Sequence, residues 1–322
     1  MKSFFKYSVY RKDFFNNPKL RITQRISLND PFECLPTTEQ VARLYDRIFK
    51  AYQDNGFDVK GNDLIGNQIR TSDSNFQYQY THLFNKYGIV SLSSTYDNLL
   101  MWSHYTNQHK GIVIELDIKK LGLANKICHS LISTKNTTQP QKVRYNNNRE
   151  IVDLNSNSFN YLFDAFFVKS KQWKYEKEYR IVGQLTDSTE VKIRKESWDV
   201  LLENKYDVFF NKVECDKDYF ALSLNSKAYL PNDEYTFGDD PDKMLTNLLY
   251  NAYSRLAEHP TTLFLYDIPK DAIKKVIIGC EMPKVEKEDI YRALTQYETD
   301  IEVFEASRHP GKFELILKKN WP

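Results

Sequence analysis

The sequence holds no glycine-rich phosphate loop. Neither G-x-x-x-x-G-K nor G-x-G-x-x-G occurs, so nothing points to a P-loop or a Rossmann nucleotide site. A G-x-S-x-G nucleophile elbow is also missing. Cys34, Cys128, Cys215 and Cys280 lie far apart with no Cys-x-x-Cys spacing, and the six histidines form no helical metal-ligand pair. This argues against a structural zinc. Thiols this sparse fit a reducing compartment. No apolar run approaches the length of a membrane span, and the N-terminus lacks an apolar core with a small-residue cleavage site. A soluble, cytoplasmic protein without a membrane partner is therefore expected. An excess of one charge is lacking too, since 45 Lys and Arg face 43 Asp and Glu for a net charge of +2. A bulk tether to a polyanion is not expected, and contact with nucleic acid would need a local patch.

What the chain has in plenty is aromatic residues. With 22 Tyr and 20 Phe it can build a sizeable core, rich in rings with polar tips, despite a mean hydropathy of -0.61. The length of 322 residues suits one large domain or two ordinary ones. Strand-like segments at 4–9, 25–28, 89–94, 112–116, 262–266, 276–278, 301–304 and 313–317 alternate with helical patterns. Thr37 and Gln40 form a capping box ahead of Val41, Leu44, Tyr45, Ile48, Phe49 and Tyr52, which repeat with helical spacing until Asn55-Gly56 breaks the pattern. A second, more polar helix is expected to stop at Gly88, a short helix capped by Asp97 to run through Trp102 to Tyr105, and a phenylalanine-rich helix to span 159–167. Asp240-Pro241 opens another. The Asn-rich tracts at 146–148 and 155–160 read as loops. The fold class expected is α+β, with short-strand mixed sheets and helical insertions. One domain over 1–322 is expected, carrying insertions at 36–86 and 186–260.

The segment Gln172-Trp-Lys-Tyr-Glu-Lys-Glu-Tyr-Arg-Ile-Val182 carries the clearest chemical signal. Read as a strand, it puts Lys174, Glu176, Glu178 and Arg180 on one face and Trp173, Tyr175, Tyr179 and Ile181 on the other. Two carboxylates so close on a rigid element are costly in a cleft. They are also a means of stabilising developing positive charge. The plainer alternative is a solvated edge strand decorated with weak ion pairs. Two further segments combine polar clusters with strand ends: Arg25 to Glu33 (RISLNDPFE), and Ser91 to Glu115, where Ser91 and Ser93 share a strand face and Trp102, His104 and Tyr105 cluster on the following helix.

Phe5-Lys6-Tyr7, RISLNDPFE, MWSHYTNQHKG, QWKYEKEYRIV and IPKDAIKKVIIG together resemble the successive blocks of a bacterial family known as domain of unknown function 2971. The order of segments is also similar to a mono-ADP-ribosyltransferase fold. Such folds run from a first strand with a basic residue, through a serine-rich strand end, to a strand bearing Glu/Gln-x-Glu. Ser91-Leu92-Ser93-Ser94 matches the serine motif loosely, and Glu176-Lys177-Glu178 matches the last motif fully. Lys6 or Arg25 takes the basic position.

The resemblance implies an NAD-dependent transferase of the kind found among toxins and antiviral, phage-defence effectors, with NAD as substrate and a protein, RNA or DNA acceptor. Glu178 would face the oxocarbenium-like ribose, and Glu176 would orient or deprotonate the nucleophile. Lys6, Tyr7, Arg25, Ser91, Ser93, Trp102, His104 and Tyr105 would bind NAD, with Trp102 or Tyr105 stacking on nicotinamide. No metal is called for. Two alternatives stay open: a metal-dependent nuclease using Asp30, Glu33, Glu176 and Glu178 with Mg²⁺, and a non-catalytic interaction module.

Overall fold

The computed structural model describes residues 3–54, 56, 65–123, 139–149, 163–225, 241–297 and 300–319. Its strands, in chain order, are β1 (Phe4–Ser8), β2 (Lys19–Gln24), β3 (Tyr87–Ser93), β4 (Ile112–Leu116), β5 (Gln141–Lys142), β6 (Arg144–Asn146), β7 (Val168–Ser170) and β8 (Glu178–Gln184). They continue with β9 (Glu190–Arg194), β10 (Phe210–Glu214), β11 (Tyr219–Leu224), β12 (Leu263–Asp267), β13 (Ile273–Ile278), β14 (Glu302–Arg308) and β15 (Leu315–Lys319). The α-helices are α1 (Thr38–Asp54), α2 (Ile65–Thr71), α3 (Asp73–Phe84), α4 (Leu99–Tyr105), α5 (Ile118–Leu121), α6 (Trp198–Glu203), α7 (Pro241–Leu256) and α8 (Lys284–Leu294). The class is mixed α+β, and the main sheet is mostly antiparallel.

The main path of the sheet runs β10-β11-β9-β12-β2-β3-β1-β4-β13-β14-β15, with β8 joined to β3 and β5 to β8. Within the 186–260 stretch, β9, β10 and β11 extend this sheet. Central β4 is a run of Ile112, Val113, Ile114 and Leu116, all buried, as expected of a strand covered on both faces. The relation that positions the site is at β3. One edge of β3 pairs with β2 at Gly88 and Ile89, and then with β1 at Ser93. Between those anchors β1 and β2 part, and residues from all three strands line a cleft. The other edge of β3 is paired continuously with β8, from Tyr87 with Gln184 to Ser93 with Glu178.

Local sequence explains most helices. In the capping box, Thr37 N–H donates to Gln40 Oε1 at 2.7 Å and Gln40 N–H to Thr37 Oγ1 at 3.3 Å. The apolar face of α1 buries Val41 and Leu44 against Phe76, Tyr80 and Phe84, which recur every four residues on α3. That second helix ends at Phe84, four residues before Gly88, which lies inside β3 instead. A Cβ on Gly88 would come within 2.7 Å of Ile22 Cγ2 and 2.8 Å of Leu185 Cδ2, so the glycine serves close strand packing rather than a helix stop. Asn98, not Asp97, caps α4, accepting from Met101 N–H at 3.1 Å.

Three further expectations are corrected. Residues 25–27 form a 3-10 turn at the end of β2, whose alternating pattern over 19–24 is the real strand. Residues 171–176 form a 3-10 segment, Lys177 takes a left-handed turn at φ 46°, and the strand begins only at Glu178. Its β-branched and aromatic content favoured a continuous strand, but the turn at Lys177 overrides propensity. Of the 159–167 helix, Phe163–Phe167 is a 3-10 segment, and Phe159 and Leu162 lie outside the described residues, as does the loop expected at 155–160. Among the described residues no helix is long and apolar enough to cross a membrane. Cys34, Cys215 and Cys280 are free thiols.

Candidate active site

The turn at Lys177 decides the geometry of the carboxylates. On a regular strand Glu176 and Glu178 would point the same way by alternation alone. Here the same convergence is built by a 3-10 segment, a left-handed residue and a strand start, all fixed to β3. Ser93 Oγ donates to the Glu176 carbonyl at 2.7 Å, and Ser94 N–H donates to the Lys177 carbonyl at 3.2 Å. Glu178 N–H donates to the Tyr145 hydroxyl at 2.8 Å. The backbone carrying both carboxylates is thus held on each side.

Both side chains are buried, and with Glu33 they form a cluster of three carboxylates around two cations. Lys169 Nζ lies 2.7 Å from Glu176, 3.4 Å from Glu33 and 3.5 Å from Glu178. Arg180, 0 % exposed, donates from Nε and Nη2 to the two oxygens of Glu178 at 2.7 and 2.9 Å, and from Nη1 to the Phe166 carbonyl at 2.7 Å. Its Nη2 also bonds Glu33 Oε1. This overturns the solvated-edge reading: β8 is paired to both β3 and β5, and its charges are inside the protein.

The cluster drives the two carboxyls of the Glu-x-Glu motif in opposite directions. Burial raises the Glu178 carboxyl, but the Arg180 and Lys169 charges outweigh it, and a hydrogen bond from Ser91 adds to them, holding it at about 2. For Glu176 burial prevails: the carboxyl is raised, against the Lys169 charge and helped by the negative Glu178. Tyr105 donates its hydroxyl proton to Glu176 Oε1 at 2.5 Å, and that hydroxyl accepts from Asn29 Nδ2 at 2.9 Å.

Glu33, Glu176 and Glu178 line a cleft of about 230 Å³. Lys6 and Arg21 line the same cleft from β1 and β2. Burial pushes the Lys6 ammonium down to about 8, against the pull of Glu178, and its Nζ donates to the Ser91 carbonyl at 3.0 Å. Arg21 uses Nη2 on Gln24 Oε1 and the Thr262 carbonyl, both at 3.2 Å, while its buried Nε has no partner among the described residues. One cleft is therefore lined by Lys6, Arg21 and Lys169 together with the three carboxylates.

Of the residues expected from sequence, Lys6, Tyr7, Ser91, Ser93, Tyr105, Glu176 and Glu178 line this cleft. Ser93 spends its hydroxyl on backbone, and Tyr7 donates to the Thr95 carbonyl at 3.1 Å. Three residues lie elsewhere. Trp102 is fully buried, edge-on to Tyr7 and stacked on His109, so it is a core ring rather than a stacking platform. Arg25 sits 4.6 Å over the Tyr80 ring and faces a separate cavity beside α3 and α7. His104 is exposed on α4, outside the cleft lining. Asp30 does not line the cleft either, and its Oδ1 accepts from Phe32 N–H at 2.9 Å. Sequence reasoning missed Lys169 and Arg21. Alternation offered the signal, since Lys169 is the inward residue of Val-Lys-Ser and Arg21 sits between Leu20 and Ile22, both buried on the opposite face.

Residues 101–181 match a family model described as Protein of unknown function (DUF2971). The match runs from α4 into β8 and takes in Tyr105, Lys169, Glu176, Glu178 and Arg180, whereas Lys6, Arg21 and Glu33 fall outside it. No curated protein and no solved structure matches the chain.

Proposed function

We propose that the chain is an NAD-dependent mono-ADP-ribosyltransferase that modifies a macromolecular acceptor. The observation carrying this reading is that Glu176 and Glu178 line one cleft with Lys6 and Arg21, in environments that push the Glu178 carboxyl down and the Glu176 carboxyl up. Divergent environments for neighbouring carboxyls mark a division between a fixed charge and a proton acceptor. The nicotinamide–ribose bond breaks with its electron pair leaving on nicotinamide, which departs neutral and needs no acid. Glu178, ionised at any working pH, faces the oxocarbenium-like ribose. The acceptor atom bonds to the ribose carbon and gives its proton to Glu176. Lys6 and the unpartnered Nε of Arg21 suit the substrate's phosphates. The cleft volume suits the reacting end of a dinucleotide, with the remainder outside. A role as a bacterial toxin or phage-defence effector rests on the family resemblance.

A metal-dependent nuclease is served less well. Among the described residues no group of three His, Cys, Asp or Glu is arranged to hold a metal ion. The test is nicotinamide release from NAD with and without EDTA. Release that survives the chelator supports the transferase. No release under any acceptor, together with nucleic-acid cleavage that EDTA abolishes, would replace it with the nuclease.

A further inference from the structure

Resting on the transferase reading, we propose that the acceptor is single-stranded nucleic acid, guided to Glu176 by an aromatic and basic ridge at the mouth of the cleft. The ridge is built from residues 171–177 and the end of α4. Its rings form a chain. Trp173 and Tyr175 have centroids 6.1 Å apart, Tyr175 and His104 6.4 Å, and His104 and Tyr105 6.3 Å. The chain ends at the Tyr105 hydroxyl on Glu176, so the last ring touches the proposed proton acceptor.

Lysines interleave these rings. Lys171, Lys174 and Lys177 are exposed, and none has a carboxylate partner among the described residues. In a chain with 45 basic and 43 acidic side chains, three neighbouring lysines without partners form the local patch that nucleic-acid contact would require. The ridge is also preformed. Lys177 N–H donates to the Lys174 carbonyl at 3.3 Å, and Asn98 Nδ2 donates to the Tyr175 carbonyl at 3.2 Å, tying the ridge to α4. Phosphates suit the lysines. Lys169 Nζ covers one face of Trp173, 4.7 Å from its centroid, and the ring's other face suits a base in a strand whose bases are unstacked; a duplex hides those bases' faces. A nitrogen or hydroxyl of the bound strand then attacks the ribose carbon as nicotinamide leaves, and its proton passes to Glu176.

Two measurements test this separately from the transferase reading. The first is fluorescence anisotropy without NAD, using fluorescein-labelled single-stranded RNA and DNA 12-mers and the matching duplex. Trp173→Ala should weaken single-strand binding roughly tenfold. Lys171→Glu/Lys174→Glu, on exposed side chains that leave folding undisturbed, should weaken it as much and flatten the salt dependence by about 0.7 per lost phosphate contact. The duplex should bind more weakly than the single strand. The second follows nicotinamide release and labelling of the oligonucleotide from phosphate-labelled NAD. The double lysine variant should keep release, with water then bonding to the ribose carbon, and lose labelling. Unchanged single-strand affinity in that variant overturns the ridge. Label that enters lysate proteins but not oligonucleotides overturns the acceptor class and leaves the transferase standing. Single-strand binding that depends on the ridge without nicotinamide release would instead overturn the transferase.

Discussion

Arg180 grips Glu178 by both carboxylate oxygens, Nε 2.7 Å from Oε1 and Nη2 2.9 Å from Oε2; the guanidinium is fully buried, and Glu178, 4 % exposed, lines the cleft. The guanidinium is planar and its donors match the carboxylate fork, so the pair fixes the orientation of Glu178 as well as its charge. The same group also satisfies Glu33 and the Phe166 carbonyl, which ties β8 to the segment carrying Glu33.

Removing that cation leaves two buried carboxylates short of a partner. Arg180→Met should cost about 3–5 kcal/mol of stability at pH 7, measured by urea unfolding. The acid dependence should change with it. The Glu178 carboxyl sits at about 2 in the folded protein against an ordinary 4.5, so its contribution is complete above 4.5 and is lost as pH falls toward 2. The variant should lose most of that acid limb. If Arg180→Met does not fold, Glu178→Gln removes the titrating carboxyl instead and should flatten the same acid limb.

Lys6 makes anion binding weaken at alkaline pH. Its ammonium is charged at neutral pH and titrates near 8, well below the ordinary 10.5. Affinity for ADP-ribose, measured by calorimetry between pH 6.5 and 9.5, should fall about tenfold per pH unit above that value. Lys6→Arg keeps the charge and should move the limb out of range. Lys6→Met should bind weakly at every pH, and a wild-type affinity flat across the range would remove Lys6 from the site.

Tyr105 tunes Glu176. Its hydroxyl hydrogen bond favours the ionised carboxylate and opposes the rise caused by burial. Tyr105→Phe takes that bond away, so the Glu176 carboxyl should rise further. The acid limb of the pH profile for acceptor labelling should shift to higher pH, with labelling reduced most at the acid end of the profile.

The sequence made the ends of this account legible and hid its middle. The capping box at Thr37, the buried run at Ile112 to Leu116 and the Glu176/Glu178 pair depend on local pattern, and local pattern is what a sequence displays. The turn at Lys177 was invisible because a left-handed lysine has no signature; it is imposed by contacts from Ser93 and Ser94 on another strand. Trp102 looked like a ligand platform beside His104 because helical spacing does not say which face is inside. The buried cluster was the hardest part. Glu33, Lys169 and Arg180 converge from the segment after β2, from β7 and from β8, separated by as many as 147 positions, and only tertiary contact brings them together.

The central claim is that Glu178 and Glu176 do different work, and one paired measurement tests it: nicotinamide release and acceptor labelling by wild type, Glu178→Gln and Glu176→Gln, each checked for a native fold by circular dichroism. Glu178→Gln removes the fixed charge facing the ribose and should lower release by about two to three decades. Glu176→Gln removes the proton acceptor and should lower labelling far more than release. Equal release from wild type and Glu178→Gln, or parallel losses of release and labelling in Glu176→Gln, would contradict the account.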